Sequence, residues 1–188
     1  VILEQIFMIS IKNIRLNYET NLLNNKLDKN EIKYLVGFYR EKFNVHNFLD
    51  IKNGFIIVNI DFKNNNYPFS SPTVFIENKE GYKINYLKLL NNESNKLKKT
   101  LNKKDYYYAK LLEIPNKYYQ KILNFKYCLC CSSLMCNDNW NTFVKIDDIL
   151  DEIYNNYQLI EKIKNMIIAK VIMRKHLKII LTVIYDFL

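Results

Sequence analysis

The sequence GFIIVNIDF at Gly54–Phe62 constrains what this chain can fold into more than any other stretch. Apolar side chains recur there at every second position, at Ile56, Val58, Ile60 and Phe62. Because successive side chains of a strand point to opposite faces, this alternation predicts a β-strand with one face in a hydrophobic core.

Two prolines follow this strand closely. The stretch Tyr67–Pro72, with the sequence YPFSSP, holds two of the three prolines in the chain. Proline fixes its own φ and restricts the residue before it, so the stretch predicts an extended, stiff loop. The run Thr73–Ile76 then predicts a short strand, while Ile32–Phe43, rich in tyrosine, valine and phenylalanine, fits a strand or a helix nearly equally well. Together these segments indicate an antiparallel meander with short connections.

Apolar residues at intervals of three and four predict helices in the first and last parts of the sequence. The first helix covers Leu3–Leu27. The second covers Val144–Asn165, where Asp147 and Asp148 in the first turn suit the positive end of the helix dipole. A third runs from about Met166 to Leu188, and its basic residues leave it short of the roughly 20 unbroken apolar residues of a membrane span. We expect it to dock on the core, with a membrane surface or a partner protein as the alternative.

The composition is that of a folded chain. With 49% hydrophobic and 25% charged residues it can bury a core, which excludes an intrinsically disordered protein. The excess of 28 basic over 19 acidic side chains gives +9 at pH 7, which attracts anionic partners, although AT-rich coding alone produces a similar bias. The sequence has no glycine-rich phosphate-binding motif, and we expect no secretory signal.

The stretch Lys79–Glu113 differs from its surroundings. It is rich in lysine and asparagine and contains the three consecutive tyrosines Tyr106–Tyr108. We expect a solvated insertion on the flank of the domain. Basic residues interleaved with tyrosines also suit nucleic-acid binding, but no base-reading module is recognisable, so nucleic acid is the less favoured partner.

All the cysteines lie in one short stretch before the single tryptophan, Trp140, and are Cys128, Cys130, Cys131 and Cys136. A secreted disulfide framework spreads its cysteines along the chain, so this cluster favours a reducing cytoplasmic or nuclear setting. Zinc would require separated pairs of ligands, and neither His46 nor His176 has ligand spacing to the cluster, so both histidines are expected to be surface or packing residues. Buried inert thiols and a nucleophilic thiol are the two interpretations left open.

Four motifs occur in a fixed order along the chain. The first comprises Tyr67, Pro68, Phe69 and Pro72. The next motifs along the chain are Ile114–Asn116, with the sequence IPN, the pair Cys128–Leu129, and Trp140. The helix after the tryptophan carries the spaced apolar residues Ile146, Ile149, Leu150 and Ile153. In this order the motifs resemble the catalytic core of the ubiquitin-conjugating enzymes, which has a Tyr-Pro-Phe-x-x-Pro loop and a His-Pro-Asn motif.

The resemblance implies an α+β fold. It would comprise an N-terminal helix, a four-stranded antiparallel meander, an irregular stretch that holds the cysteines, and C-terminal helices. Residues 1–165 would form the core, with the insertion at about 79–113, and residues 166–188 a helix packed on that core or extending it. The long insertion and the missing histidine before Pro115 depart from the family pattern.

The resemblance also implies a transferase that carries ubiquitin, or a ubiquitin-like modifier, as a thioester on a cysteine. The Cys-Leu pair favours Cys128 as this nucleophile; Cys130 is the alternative because Leu134 lies four residues after it, and the two remaining cysteines fit less well. An asparagine amide would stabilise the oxyanion of the transfer, with Asn116 favoured over Asn124. No metal and no cofactor is expected.

Partner binding is the last property that the resemblance implies. Phe69, with Pro68, would lie at the edge that binds a ubiquitin ligase, and a rigid corner of the core is an equally good interpretation of the loop. Thr142 stands at the ligase-binding position where the family has a proline. The expected partners are the modifier, its activating enzyme and a ligase. The alternative is an inactive variant of the same fold that acts as a module binding ubiquitin or another protein.

Overall fold

Three helices and five strands make up the described part of the chain. The computed structural model describes residues 2–51, 54–63, 66–77, 81–100 and 129–187, and of residues 2, 3, 98, 100, 174 and 177–187 only the backbone. The elements are α1 (Ile2–Asp28), β1 (Leu35–Glu41), β2 (Asn44–Ile51), β3 (Gly54–Asp61), β4 (Thr73–Glu77), β5 (Lys83–Asn85), α2 (Tyr86–Thr100) and α3 (Ile146–Phe187). The predicted α+β class and the predicted N-terminal helix are therefore confirmed.

The strands form one antiparallel sheet in the order β1-β2-β3-β4-β5, so each strand pairs with its neighbour in sequence. The sheet has five strands, whereas the resemblance implies four. The sequence does not reveal β2 because Asn47 lies on the buried face between Val45 and Leu49 and interrupts the apolar alternation. The amide nitrogen of Asn47 donates to the carbonyl oxygens of Val45 and Val58, each at 3.2 Å, which pairs this nitrogen inside the core.

The edge of the sheet comes from the stretch that we expected to be a solvated insertion. Strand β5 extends the sheet beyond β4, with Ile84 opposite Ile76. Helix α2 follows at once and buries Tyr86, Leu90 and Leu97 in the core. These residues are thus part of the sheet and its packing. Residues 101–113, the remainder of the predicted insertion, lie outside the described residues.

One face of the sheet lies in the core. Helix α1 contacts β1, α3 contacts β2, and α2 contacts β4 and β5. The buried strand residues of this face are Leu35, Val45, Leu49, Ile56, Val58, Ile60, Val74 and Ile76. On the opposite face Tyr39 and Phe55 are exposed. The predicted inward alternation of β3 is therefore confirmed, and the helices on the inner face bring distant parts of the chain together.

Helix α3 is one continuous element of 42 residues. The sequence predicts a boundary near Asn165, and this boundary is wrong. Neither proline nor glycine occurs between Ile146 and Phe187, so nothing in the backbone chemistry ends the helix at that point. None of the described helices has an apolar stretch long enough to cross a membrane.

Candidate functional site

The proline loop, residues 66–72, is anchored by one buried aromatic side chain. Tyr67 is fully buried, and its ring packs edge-on against Phe62 at a centroid distance of 4.6 Å. Its peptide bond to Pro68 is cis. The next side chain, Phe69, is 58% exposed. The loop thus holds one ring in the core and presents another to solvent.

A buried carboxylate in α1 ties this loop to the start of α3. Glu19 is 2% exposed and accepts hydrogen bonds from the hydroxyl of Tyr67 at 2.7 Å and from the backbone N–H of Ile146 at 3.1 Å. Arg15, one turn earlier in α1, forms an ion pair with it. Burial raises the pKa of the Glu19 carboxyl, and the three donors act in the opposite direction. Burial also raises the pKa of the Tyr67 hydroxyl, so Tyr67 is the donor of their hydrogen bond.

Trp140 makes a second connection to the proline loop. Its indole nitrogen donates to the carbonyl oxygen of Pro68 at 2.9 Å, across 72 positions of sequence. The guanidinium of Arg15 reaches the carbonyl oxygen of Val144 at 3.5 Å. Residues 140–144 are therefore held beside both α1 and the proline loop.

The hydrogen bond from Trp140 to Pro68 brings these two segments together, and we call their residues Pro68, Phe69, Thr142 and Phe143 the aromatic face. Phe143 is 81% exposed, while Thr142 and Pro68 are half-buried. A shallow hollow of about 400 Å³ adjoins this face at Pro68, and its other lining residues are Ile11, Ile14, Arg15 and Tyr18 of α1. Exposed aromatic rings beside a concave apolar surface are typical of a protein-binding site.

The cysteine segment, residues 129–139, is a series of tight turns. Backbone N–H groups of Ser133, Cys136 and Asn139 each donate to the carbonyl oxygen three residues earlier, at 3.3, 3.1 and 2.9 Å. The Asn139 amide donates to the carbonyl oxygens of Cys131 and Ser133, at 2.7 and 3.0 Å. The backbone of the segment is consequently fixed from within, without a helix or a strand.

Glu152 of α3 attaches the cysteine segment to the domain. Its carboxylate accepts from the Ser133 hydroxyl and from the Leu134 N–H, both at 2.6 Å, and from the Tyr86 hydroxyl at 3.1 Å. Burial raises the pKa of Tyr86 well above its usual value, so this hydroxyl stays protonated and donates. On the other side, the Ser94 hydroxyl of α2 accepts from the N–H of Leu129 at 2.9 Å.

The described cysteines differ in their bonding and in their exposure to solvent. Cys130, the alternative nucleophile, is half-buried, and its sulfur is in a disulfide bond. Cys131 is exposed and forms no disulfide bond, and its sulfur lies 3.9 Å from that of Cys130. Cys136 is a free, half-buried thiol that lines a groove of about 520 Å³ between the proline loop, β5 and the cysteine segment. Asn85 and Asn137 line the same groove, so a thiol and two amide-bearing residues border one open space.

The favoured catalytic residues lie elsewhere in the chain. Cys128, Asn116 and Asn124 are all outside the described residues. Within the described ranges, no group of three or more histidine, cysteine, aspartate or glutamate residues could hold a metal ion. His46 is half-buried, stacks on Tyr39 and contacts Asn59 through Nδ1, whereas His176 is exposed on α3.

Sequence reasoning misses several residues that shape this site. Phe143 directly follows the predicted Thr142, and a large aromatic residue in a polar loop is the signal that could have identified it. Glu152 lies between the core residues Leu150 and Ile153, at a position where a charge calls for a partner. Glu19 gives no such signal, because its neighbours in α1 are mostly polar.

Comparisons with known protein families, with curated proteins and with solved structures find no match for this chain. They assign it to no family. The motifs of its own sequence and the contacts among them are the basis on which a function can be proposed.

Proposed function

We propose that this protein is a conjugating enzyme for ubiquitin or a ubiquitin-like modifier. The observation that carries the proposal is the hydrogen bond from Trp140 to the carbonyl oxygen of Pro68. It joins two motifs that resemble the family in sequence and that lie 72 positions apart. The contact supports the proposal because it places both motifs in one part of the folded chain.

The proposed chemistry is a pair of acyl transfers. A cysteine thiolate attacks the carbonyl carbon of the thioester between modifier and activating enzyme, and the thiolate of that enzyme leaves. A lysine amine of the substrate then attacks the new thioester; the carrier thiolate leaves, and the amine loses a proton as the amide forms. Both steps pass through an oxyanion, and the loss of a donor to such an oxyanion typically costs about 2.7–4 kcal/mol.

We assign the carrier thiol to Cys128 and the oxyanion donor to Asn116, both on the resemblance. The groove beside Cys136 supports the general location, because it places an open space next to the cysteine segment and adjoins Asn85 and Asn137. The disulfide of Cys130 implies that the protein has to be reduced before it can accept an acyl group at that position.

The experiment is a charging assay. The reduced protein is incubated with a modifier-activating enzyme, ATP and the modifier, and is then separated without and with a thiol reductant. We expect an adduct that the reductant removes. Cys128→Ser should abolish the adduct or make it resistant to reductant, because an oxygen ester replaces the thioester.

The matched controls are the serine variants of the other cysteines. Cys136→Ser and Cys131→Ser should leave the adduct unchanged. Loss of the adduct in one of these variants, with Cys128→Ser still active, would keep the proposed function and move the carrier thiol. If no protein formed an adduct with any modifier tested, the proposed conjugating activity would be refuted.

A second candidate is a protein-binding module without transfer activity. The aromatic face favours it, because this surface is formed by described residues and needs no nucleophile. In this case the wild-type protein should bind a ligase or ubiquitin by isothermal titration without becoming charged. Phe69→Ala and Phe143→Ala should each weaken binding at least tenfold, while Phe55→Ala, which removes an exposed ring on the opposite face of the sheet, should not.

A further inference from the structure

Helix α3 carries exposed apolar side chains beyond the part that packs on the domain. Its residues Ile163, Met166 and Lys170 are buried, which defines the side that faces the fold. Ile168 and Ile172 are 56% and 49% exposed. They are four residues apart, so they lie above one another on one face of the helix. Val171 and Met173, also exposed, widen this apolar surface.

The charge around this surface has a single sign. Between Asn165 and Tyr185 the basic residues are Lys170, Arg174, Lys175 and Lys178, and no acidic residue occurs. Lys170 is buried, whereas Lys175 and His176 are exposed. Lys175 lies three residues after Ile172, so an exposed positive charge stands beside the exposed isoleucines. Such a surface is complementary to one that combines hydrocarbon with negative charge.

We propose that residues 166–178 of α3 bind the surface of an anionic lipid bilayer. The apolar side chains of Ile168 and Ile172 enter the boundary between headgroups and acyl chains, and Lys175 beside them contacts the anionic headgroups. The helix lies in the plane of the surface. This inference does not depend on the proposed transfer activity.

The test is co-sedimentation of the full chain with lipid vesicles. One set contains phosphatidylcholine and phosphatidylserine in equal parts, and the other contains phosphatidylcholine alone. We expect binding at least tenfold tighter to the vesicles with phosphatidylserine, and weaker binding as the salt concentration rises. Absence of binding, or equal binding to both compositions, would overturn the proposal.

Two double variants separate the apolar from the electrostatic contribution. Ile168→Asn with Ile172→Asn, and Arg174→Glu with Lys175→Glu, should each weaken binding at least tenfold. Phe55→Asn and Lys88→Glu, which alter exposed residues of β3 and α2, should change it less than twofold.

Two results with these variants would contradict the proposal. If only the charge variant lost binding, the apolar face would not enter the bilayer. If size-exclusion chromatography showed a dimer that the Ile168 and Ile172 changes convert to a monomer, a second copy of the chain would be the partner. The comparison of the two lipid compositions uses the wild-type protein and stands even if a variant folds poorly.

Discussion

At the scale of single residues, Glu19 is the side chain on which most of the site depends. It holds three donors from α1, the proline loop and the start of α3. Its carboxylate is buried, so water would not replace it as an acceptor for these donors. The position of the aromatic face therefore depends on one acidic residue of α1.

Removal of this carboxylate should destabilise the whole domain. We predict that Glu19→Ala lowers the free energy of unfolding by about 3 kcal/mol, because it removes a buried acceptor of the Tyr67 hydroxyl and of the Ile146 N–H. Urea denaturation measures this change. Glu31→Ala, which removes an exposed carboxylate, is the control and should change stability by less than about 0.5 kcal/mol. Similar values for both variants would show that the Glu19 contacts contribute little.

The pH dependence of stability gives an independent test of the same residue. Burial raises the pKa of Glu19 above its ordinary value of 4.5, so in the interval above 4.5 the unfolded chain has released a proton that the folded chain retains. The contribution of Glu19 to the free energy of unfolding is then complete below pH 4.5, and it falls as pH rises through the pKa that Glu19 has in the folded chain. We predict that the stability of wild type relative to Glu19→Gln declines from about pH 4 to pH 7 in urea titrations. An increase over this range would mean that the ion pair with Arg15 outweighs burial.

Buried polar residues limit how much of the fold can be predicted from the sequence. The alternation of Ile56, Val58 and Ile60 correctly predicts β3, because each of these side chains is apolar and none needs a specific partner. Asn47 and Glu19 lie in the core only because distant groups hydrogen-bond them. Such polar core positions depend on tertiary contacts, which local pattern does not encode.

At the scale of elements, β5 and α2 show how a polar stretch can belong to a core. The many lysines and asparagines of residues 81–100 suggest a solvated insertion, yet the minority of apolar residues falls on one face of α2. A short amphipathic helix needs only this stripe to pack. Tyr86, Leu90 and Leu97 recur at intervals of four and seven residues, and this helical spacing predicts the packing of α2 better than the composition around it.

We predict that α2 contributes strongly to stability. Leu90→Ala should lower the free energy of unfolding by about 3 kcal/mol, since it removes a fully buried side chain and leaves a cavity. Lys88→Ala, on the exposed side of the same helix, should cost less than about 0.5 kcal/mol. Thermal and urea denaturation report both values. A small effect of Leu90→Ala would place α2 outside the cooperative core.

The position of the cysteine segment depends on α3, because Glu152 of that helix accepts hydrogen bonds from the segment. Glu152→Ala should free the Ser133 hydroxyl and the Leu134 N–H and cost about 2 kcal/mol. We also expect Cys136 to react several-fold faster with a maleimide, because the segment opens more often. Peptide mass spectrometry in a Cys131→Ser background measures this rate. Asn155→Ala, an exposed neighbour in α3, should alter neither quantity, and an unchanged rate in Glu152→Ala would show that other contacts hold the segment.

At the scale of the whole molecule, the meander and the helices on its inner face bring together motifs that the sequence keeps apart. The proline loop, Trp140 and α1 meet through the contacts of Pro68, Glu19 and Arg15. Local sequence patterns predict the helices and β3, and the resemblance supplies the choice of motifs and the α+β fold class. It does not predict the groove at Cys136 or the exposure of Phe143, because these arise only when the elements pack.

The mass of the intact protein after incubation with a modifier-activating enzyme, ATP and modifier tests the proposed function most directly. We predict an increase equal to the mass of the modifier less that of one water, and a thiol reductant should reverse it. Cys128→Ser should show no mass increase that the reductant can reverse. A mass that stays unchanged in the reduced wild-type protein, with ubiquitin and with other modifiers alike, would contradict the account.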